Sequence, residues 1–451
     1  MAERPPSLGT FSTLSIGIGG MVGGGIFAVT GLTIEITKGA APLAFLIAGL
    51  VALLTSYSYL KLSLAYPGEG GTVDFLNRAF GGGVLTGAAN ILLLLSYVVL
   101  LAVYAVAFGS YGADLLPEAQ RNFWQHALGS GVILGLLALN VWAAGAVIRS
   151  ENIFNAIKMV LLGGFVLAGL MLPADWSRVG PVDAVSPMGL VAGAMLIFLN
   201  YEGFELIANS SAEVKNPRRS LPIAYLGGVV IAIGLYMLIV GVVLGHLSLE
   251  EISAHSATSL SAAARAFLGQ PGYLAIVAAA LLATSSAINA TFRSTGRLAY
   301  VVAKTGELPR ELERSIRGEH SEGAILCALL ALVLVNFVPL EAIATMGSAG
   351  FPIIFALVNI ANVRLADQTD SRRWISGLAA VSAIGALAVL CVSVDENPAS
   401  RSHLWILAGM IVASLLIEVS YRGATGRQIH LRERGLGQRS AGEGIADVKS
   451  Q

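Results

Sequence analysis

The sequence is dominated by long apolar runs, each long enough to cross a lipid bilayer as a helix. About 20 apolar residues span the ~30 Å hydrocarbon core, and such runs follow one another through most of the 451 residues. Only 12% of the residues are charged, against about 25% in soluble domains. Because lipid offers the backbone no hydrogen-bond partners, runs of this kind fold as helices. The sequence therefore predicts an all-α integral membrane protein.

Twelve transmembrane helices are predicted, in two units of five and a final pair. They lie at about residues 8–34, 42–66, 86–112, 127–148, 152–172, 187–212, 221–247, 272–298, 322–338, 340–364, 373–394 and 403–421.

The predicted domains follow from these spans. Residues 8–172 form the first five-helix unit, and an outer loop at 173–186 leads to the second unit at 187–364. Because five is odd, the second unit starts on the opposite side of the membrane, which makes the repeat inverted. A linker and helices 11 and 12 occupy 365–421. Residues 1–7 form a cytoplasmic N-terminal tail, and 422–451, poor in apolar residues, a disordered cytoplasmic tail.

Positive charge is distributed unevenly, although Lys+Arg and Asp+Glu each total 28. With the N-terminus in the cytoplasm, all but six basic residues fall in cytoplasmic segments. Lys158 lies in a predicted span, and five are outside: Lys38, Arg121, Arg178, Arg265 and Arg401. This bias follows the positive-inside rule. We therefore expect a multi-pass protein of the cell membrane with both termini cytoplasmic.

Glycines interrupt the first predicted span, with six of them between Ile16 and Phe27. At membrane depth, the backbone groups that such a break frees must bond to protein, to a polar cavity or to a ligand. The corresponding break in the second unit is at Asn200–Gly203. Broken helices at matching positions of two halves hold solutes and coupling ions in many secondary transporters. Helices 1 and 6 are thus predicted to be interrupted around a binding site.

Motifs for nucleotide, metal or disulfide sites are either missing from the sequence or lie in the wrong structural context. The sequence has no G-x-x-x-x-G-K-[ST] phosphate loop, and its one G-x-G-x-x-A pattern, at Gly23, follows no strand. Cys327 and Cys391 have neither metal-ligand nor disulfide spacing. We expect no catalytic residues, no enzyme activity, no cofactor, no metal site and no nucleic-acid partner.

Several motifs together carry a family resemblance. They are Met21–Phe27 (MVGGGIF), Ala65–Gly71 with Arg78–Gly81, Tyr201–Glu205 running to Glu213–Pro217, and Gly296–Tyr300 followed by Lys304–Pro309. From about residue 8 to 364 the chain resembles the amino acid/polyamine/organocation transporter superfamily, in particular its proton-coupled amino acid permeases. The resemblance implies a leucine-transporter-like fold and alternating access around a central site for amino acids or related amines. Asn200 and Glu202 depart from it, since members usually carry small or apolar residues there.

The predicted substrate site joins the two breaks. Amides of Gly23, Gly24 and Gly25 near a helix N-terminus suit a carboxylate, although small-xxx-small packing is an alternative role. The resemblance implies that the backbone carbonyls of Leu199, Asn200 and Glu202 accept from the substrate ammonium. Phe198 or Tyr201 could close over the bound molecule as an apolar gate or be an ordinary core residue. The predicted substrate-binding residues are Val22, Gly23, Gly24, Gly25, Phe198, Leu199, Asn200, Tyr201 and Glu202.

Two ionisable residues in predicted spans are functional candidates. Such a residue costs about 2.5–3.5 kcal/mol at a helix centre. Glu202 could pair with a cationic substrate, carry a proton, or stay neutral without a ligand. Lys158 lies ~10 Å along its helix from Glu151 and could snorkel towards the cytoplasm. The resemblance implies instead that Lys158 replaces a sodium ion.

The neighbours predicted for Lys158 complete a proton-coupling site. They are the carbonyl of Gly19 and the hydroxyls of Ser285 or Ser286.

The leading hypothesis is a secondary active transporter that imports amino acids by proton-coupled alternating access. Its partners are a small-molecule substrate, protons and the lipid bilayer. An amino acid/polyamine exchanger, in which Glu202 matters more than Lys158, is an alternative. A membrane sensor that binds an amino acid without transporting it is another.

Overall fold

The computed structural model describes residues 7–68, 70–180, 185–306, 308, 321–396 and 401–425. The predicted tails, apart from Ser7 and the few residues before 426, lie outside these ranges, as do 181–184 of the predicted outer loop. Apart from an isolated β-bridge between Leu8 and Val214, the regular structure of the described residues is helical. The predicted all-α membrane protein is confirmed.

The α-helices are numbered in chain order. They are α1 (Thr10–Met21), α2 (Gly25–Thr37), α3 (Ala41–Ala65), α4 (Thr72–Phe80), α5 (Val84–Ala113), α6 (Arg121–Met171), α7 (Pro187–Leu196), α8 (Pro217–Pro222), α9 (Gly228–His246), α10 (Leu249–Ala254), α11 (Ser259–Thr305), α12 (Ser321–Phe337), α13 (Leu340–Arg364), α14 (Ala366–Thr369), α15 (Arg373–Glu396) and α16 (Arg401–Thr425).

Nine helical stretches of the described chain are long and apolar enough to cross a membrane, and a bent pair of helices would make ten. The bent pair is Pro187–Leu196 with Phe198–Glu213, at an angle of 44°. Two features explain why fewer than twelve stand out. After the glycine break, α2 and α3 count as one stretch, Gly25–Ala65, and α12 is a shorter apolar helix. Twelve spans and an inverted repeat therefore stay predictions.

Two helices run further than predicted. The backbone of α6 is helical for 51 residues, about 75 Å, which is far more than a bilayer core requires. Two apolar stretches lie along it, Glu118–Trp142, which begins just before α6, and Ile153–Met171. The sequence predicts separate spans there. Helix α11 includes a non-helical residue, Gly269, with φ 67°. Its apolar part follows this kink.

Helix α5 lies at the centre of the structure. It is apolar on all sides, a composition typical of a buried helix, and 89% of its most apolar stretch is buried. It packs against α6, α11, α12, α13 and α16. Two tyrosines of α5, Tyr97 and Tyr104, reach residues of the helix breaks. This central helix thus forms one wall of the region where the breaks meet.

Both predicted interruptions are present. The first separates α1 from α2, and the second follows α7 as two 3₁₀ segments, Phe198–Tyr201 and Phe204–Glu213. A 3₁₀ run of ten residues is unusual, since most are three or four residues long. The backbone amide of Lys215 donates to the Leu8 carbonyl at 2.7 Å, which ties the end of the second interrupted segment to the start of the first.

Candidate functional site

The first break is a short non-helical turn between α1 and α2. After Met21, Val22 leaves the helical conformation at φ −77° and ψ 54°. The Gly23 amide donates to the Met21 carbonyl at 2.7 Å, and α2 begins at Gly25 with Gly24 as its N-cap. The first amides of a helix have no partner within it and carry partial positive charge. The start of α2 can therefore bind an anion.

The two breaks cross at a pair of glycines. Gly203 has φ +128°, a conformation that favours glycine. A Cβ on Gly203 would overlap the carbonyl carbon of Gly20, and a Cβ on Gly20 would lie 2.8 Å from Gly203 Cα. Glycine at both positions lets the two backbones touch. Gly20 therefore serves helix packing, independently of any role of the later glycines in binding substrate.

Side chains of other segments fill the space beside the later glycines of the first break. A Cβ on Gly24 would lie 2.6 Å from Tyr104 Cδ1 and 3.0 Å from Thr284 Cγ2, and one on Gly25 would overlap Asn200 Oδ1. All nine predicted substrate-binding residues are buried, and the contact between Gly25 and Asn200 brings the two breaks together. In this structure the region between the breaks is closed to solvent.

Tyr236 of α9 connects the two breaks. Its hydroxyl lies 2.6 Å from the Met21 carbonyl and 3.0 Å from the Asn200 carbonyl. A hydroxyl has one proton to donate, so it satisfies one of these carbonyls at a time. Sequence reasoning missed Tyr236. Its only signal is a hydroxyl in the middle of the apolar run of α9.

The two aromatic residues proposed as gates both have core contacts. Phe198 packs edge-on against Phe355 of α13 with ring centroids 5.8 Å apart. The Tyr201 hydroxyl donates to the Phe45 carbonyl of α3 at 2.7 Å, and its ring lies 5.2 Å from that of Tyr236. Each therefore holds the second break against a neighbouring helix in the closed state.

The two acidic residues of the second break have different surroundings. Glu205 accepts from the Gly203 amide at 2.6 Å and from the Tyr97 hydroxyl at 3.2 Å, so it stabilises the turn after the break. Glu202 is fully buried. Among the residues that the structure describes, neither of its carboxylate oxygens has a hydrogen-bond partner.

Lys158 is fully buried, and its Nζ donates to the Gly19 carbonyl at 3.1 Å. The predicted contact between α6 and α1 is therefore present. Asn155, one turn earlier on α6, also lies against Gly19, because a Cβ there would be 2.7 Å from Asn155 Nδ2. The ammonium is thus held at the first break and does not extend to the surface.

The two predicted serine partners lie on α11, which also reaches the first break. Thr284 lies beside Gly24, and Ala287 Cβ would be 3.1 Å from a Cβ on Gly23. Between them, Ser286 is buried and Ser285 is half-buried. Their contact with Lys158 stays a prediction.

Comparison with known proteins identifies the family. The family of amino acid permeases matches residues 8–416. The chain belongs to this family, within the amino acid/polyamine/organocation superfamily. The resemblance carried by the sequence motifs is confirmed, and so is the prediction that the protein is not an enzyme, because the family and its named relatives are permeases and transporters.

Several relatives of this permease are similar over most of its length. Inner membrane transport protein YbaT of Escherichia coli is 31% identical over 93% of this chain and 97% of its own. Branched-chain amino acid permease BcaP of Lactococcus lactis is 26% identical over 90% of this chain and 93% of its own. Human cationic amino acid transporter 4 is 30% identical over 66% of this chain and 50% of its own. Amino acid transport across a membrane is thus supported.

Proposed function

We propose that this permease imports amino acids by proton-coupled alternating access, with substrate bound between the two helix breaks. The family and the relatives named for branched-chain and cationic amino acids support the substrate class. The observation that carries the coupling proposal is the fully buried Lys158 with its Nζ 3.1 Å from the Gly19 carbonyl.

The substrate carboxylate binds at the start of α2, where Gly24 and Gly25 leave the backbone accessible once Tyr104 and Asn200 move. The substrate ammonium binds the backbone carbonyls of the second break. Tyr236 supports this arrangement, because its single proton leaves either the Met21 or the Asn200 carbonyl available as an acceptor. Opening therefore requires these side chains to withdraw from the glycines.

Lys158 couples this opening to protons. When charged, its ammonium binds the Gly19 carbonyl and holds α1 against α6. The charged ammonium needs this hydrogen bond, because a buried charge is costly unless it is paired and hydrogen-bonded. Deprotonation removes that need, so the contact weakens and α1 becomes free to move. Ser285 and Ser286 of α11 are proposed as further ligands of the ammonium.

The proposed topology has twelve spans, an inverted five-plus-five repeat and both termini in the cytoplasm. Its support is the distribution of basic residues and the presence of a broken helix in each half of the chain. Under this topology, the loop containing Asp175 and Arg178 is outside and the turn containing Asp370 is cytoplasmic.

Proteoliposomes test the function directly. We expect uptake of a radiolabelled amino acid without sodium, accumulation under an inward proton gradient, and its loss when an uncoupler collapses the gradient. Uptake that does not depend on the proton gradient but requires amino acid on the opposite side of the membrane would identify an exchanger instead. Binding without uptake or counterflow would identify a sensor.

A further inference from the structure

Glu202 is a buried ionisable residue to which the proposed transport mechanism assigns no role. Its side chain is fully buried, and both carboxylate oxygens lack a hydrogen-bond partner among the described residues. A buried carboxylate that is ionised and unpaired is among the most costly arrangements in a protein. In the closed structure the group must therefore hold a proton or, with substrate bound, a cation.

Among the residues that the structure describes, the groups around Glu202 do not supply that cation. Glu205, on the same segment, adds a second carboxyl within electrostatic range. Helix α5 presents the phenols of Tyr97 and Tyr104. From α9, the Tyr236 phenol is turned towards the carbonyls of Met21 and Asn200.

The buried lysine of the site, Lys158, is not a hydrogen-bond partner of Glu202, whose carboxylate oxygens have none among the described residues. Lys158 donates to Gly19, on α1, and Gly19 lies against Asn155 of α6. The positive partner that suits Glu202 is thus a proton or part of the substrate.

Glu202 is also placed to meet the substrate. Glu202 directly follows the 3₁₀ segment Phe198–Tyr201, which contacts the start of α2. Asn200, two residues before Glu202, lies against Gly25. An amino acid whose carboxylate binds at Gly24 and Gly25 would therefore have its side chain within the reach of this carboxylate.

Building on the proposed transport function, we propose that the Glu202 carboxyl binds either a proton or the cationic side chain of the substrate, but not both. A cationic amino acid displaces the proton, which passes to water on the side to which the site is open. A neutral amino acid binds while Glu202 keeps its proton. The loaded site then carries the same net charge in both cases, so one carrier can accept both classes.

Proton release on binding is the decisive measurement. Lysine and alanine are titrated into the purified full-length protein in pairs of buffers with different ionisation enthalpies, which reports the protons exchanged per ligand. We expect lysine to release about one proton more than alanine. The ratio of lysine to alanine affinity should rise with pH, by up to about tenfold per unit while the carboxyl of the empty site is protonated.

Two variants separate this role from a structural one. In Glu202→Gln, the difference in proton release between lysine and alanine should disappear, and the affinity ratio should fall by at least about tenfold. Glu205→Gln is the matched control, because it removes the neighbouring buried acid, and it should keep the difference of one proton.

The possible failures are distinguishable. If alanine binds but lysine releases no extra proton, or if Glu202→Gln keeps the extra proton, the inference is wrong and the transport proposal stands. If neither amino acid binds the wild-type protein, both are wrong.

Discussion

Gly20 of the first broken helix and Gly203 of the second touch through their backbones, with no side chain between them. A Cβ added to either glycine would overlap the backbone of the other. The contact joins the two interrupted segments at one point, on the α1 side of the first break. Gly19, Gly24 and Gly25 instead adjoin side chains of α5, α6, α11 and the second break, which can change rotamer.

Alanine at Gly203 should be severely destabilising. Its φ of +128° is strained for any other residue, at a cost of about 1–3 kcal/mol, and the added Cβ meets backbone that cannot yield. Thermal unfolding of the detergent-purified variant should show a large drop in midpoint or no folded protein. Gly164→Ala is the control, because nothing lies within 4 Å of a Cβ there. A Gly203→Ala protein as stable as the control would disprove the backbone contact.

Tyr236→Phe should weaken both stability and substrate binding. The hydroxyl removed lies 2.6 Å from the Met21 carbonyl, and an unsatisfied buried acceptor costs about 1–3 kcal/mol. Tyr225→Phe is the control, because that buried hydroxyl bonds Ser63 at 2.8 Å, away from the breaks. Ligand-induced thermal shifts should decrease only in Tyr236→Phe. An equal decrease in both variants would assign Tyr236 to structure alone.

Glu205→Gln should reduce stability by about 1–3 kcal/mol. Glutamine has one acceptor oxygen where Glu205 uses two, for the Gly203 amide and the Tyr97 hydroxyl. Differential scanning fluorimetry measures the change, and Tyr97→Phe should produce a smaller one. Unchanged stability in Glu205→Gln would remove its role in holding the turn.

The proposed orientation predicts which loops react with a membrane-impermeant maleimide. The tests are the substitutions Ser177→Cys and Asp367→Cys in a protein whose Cys327 and Cys391 have been replaced. On intact cells Ser177→Cys should be labelled and Asp367→Cys should not. Both positions are exposed in the structure, so both should react after permeabilisation. The opposite pattern on intact cells would invert the topology.

The two breaks could be predicted because their causes are local. Three consecutive glycines at Gly23–Gly25, and the polar residues Asn200 and Glu202 inside an apolar run, are inconsistent with a continuous helix in lipid. The position of Lys158 beside Gly19 came from family resemblance, since two residues so far apart in sequence give no local sign of contact.

Other parts of the site depend on tertiary structure. Nothing around Tyr236 in the sequence indicates that its hydroxyl reaches carbonyls in both breaks. The same holds for Gly20 and Gly203, whose contact depends on how two separate helices cross. The continuous helix α6 was missed because a charged turn between two apolar runs favours a loop in sequence, although the backbone there stays helical.

The central claim is that Lys158 couples transport to protons, and replacing Lys158 tests that claim most directly. Wild-type protein, Lys158→Ala, Lys158→Arg and the control Lys304→Ala, which changes an exposed lysine of α11, are reconstituted in proteoliposomes with an inward proton gradient. Wild type and control should concentrate substrate. Lys158→Ala should bind substrate without accumulating it, and Lys158→Arg should also fail, because a guanidinium does not lose its proton. Accumulation by Lys158→Ala with the pH dependence of wild type would contradict the account.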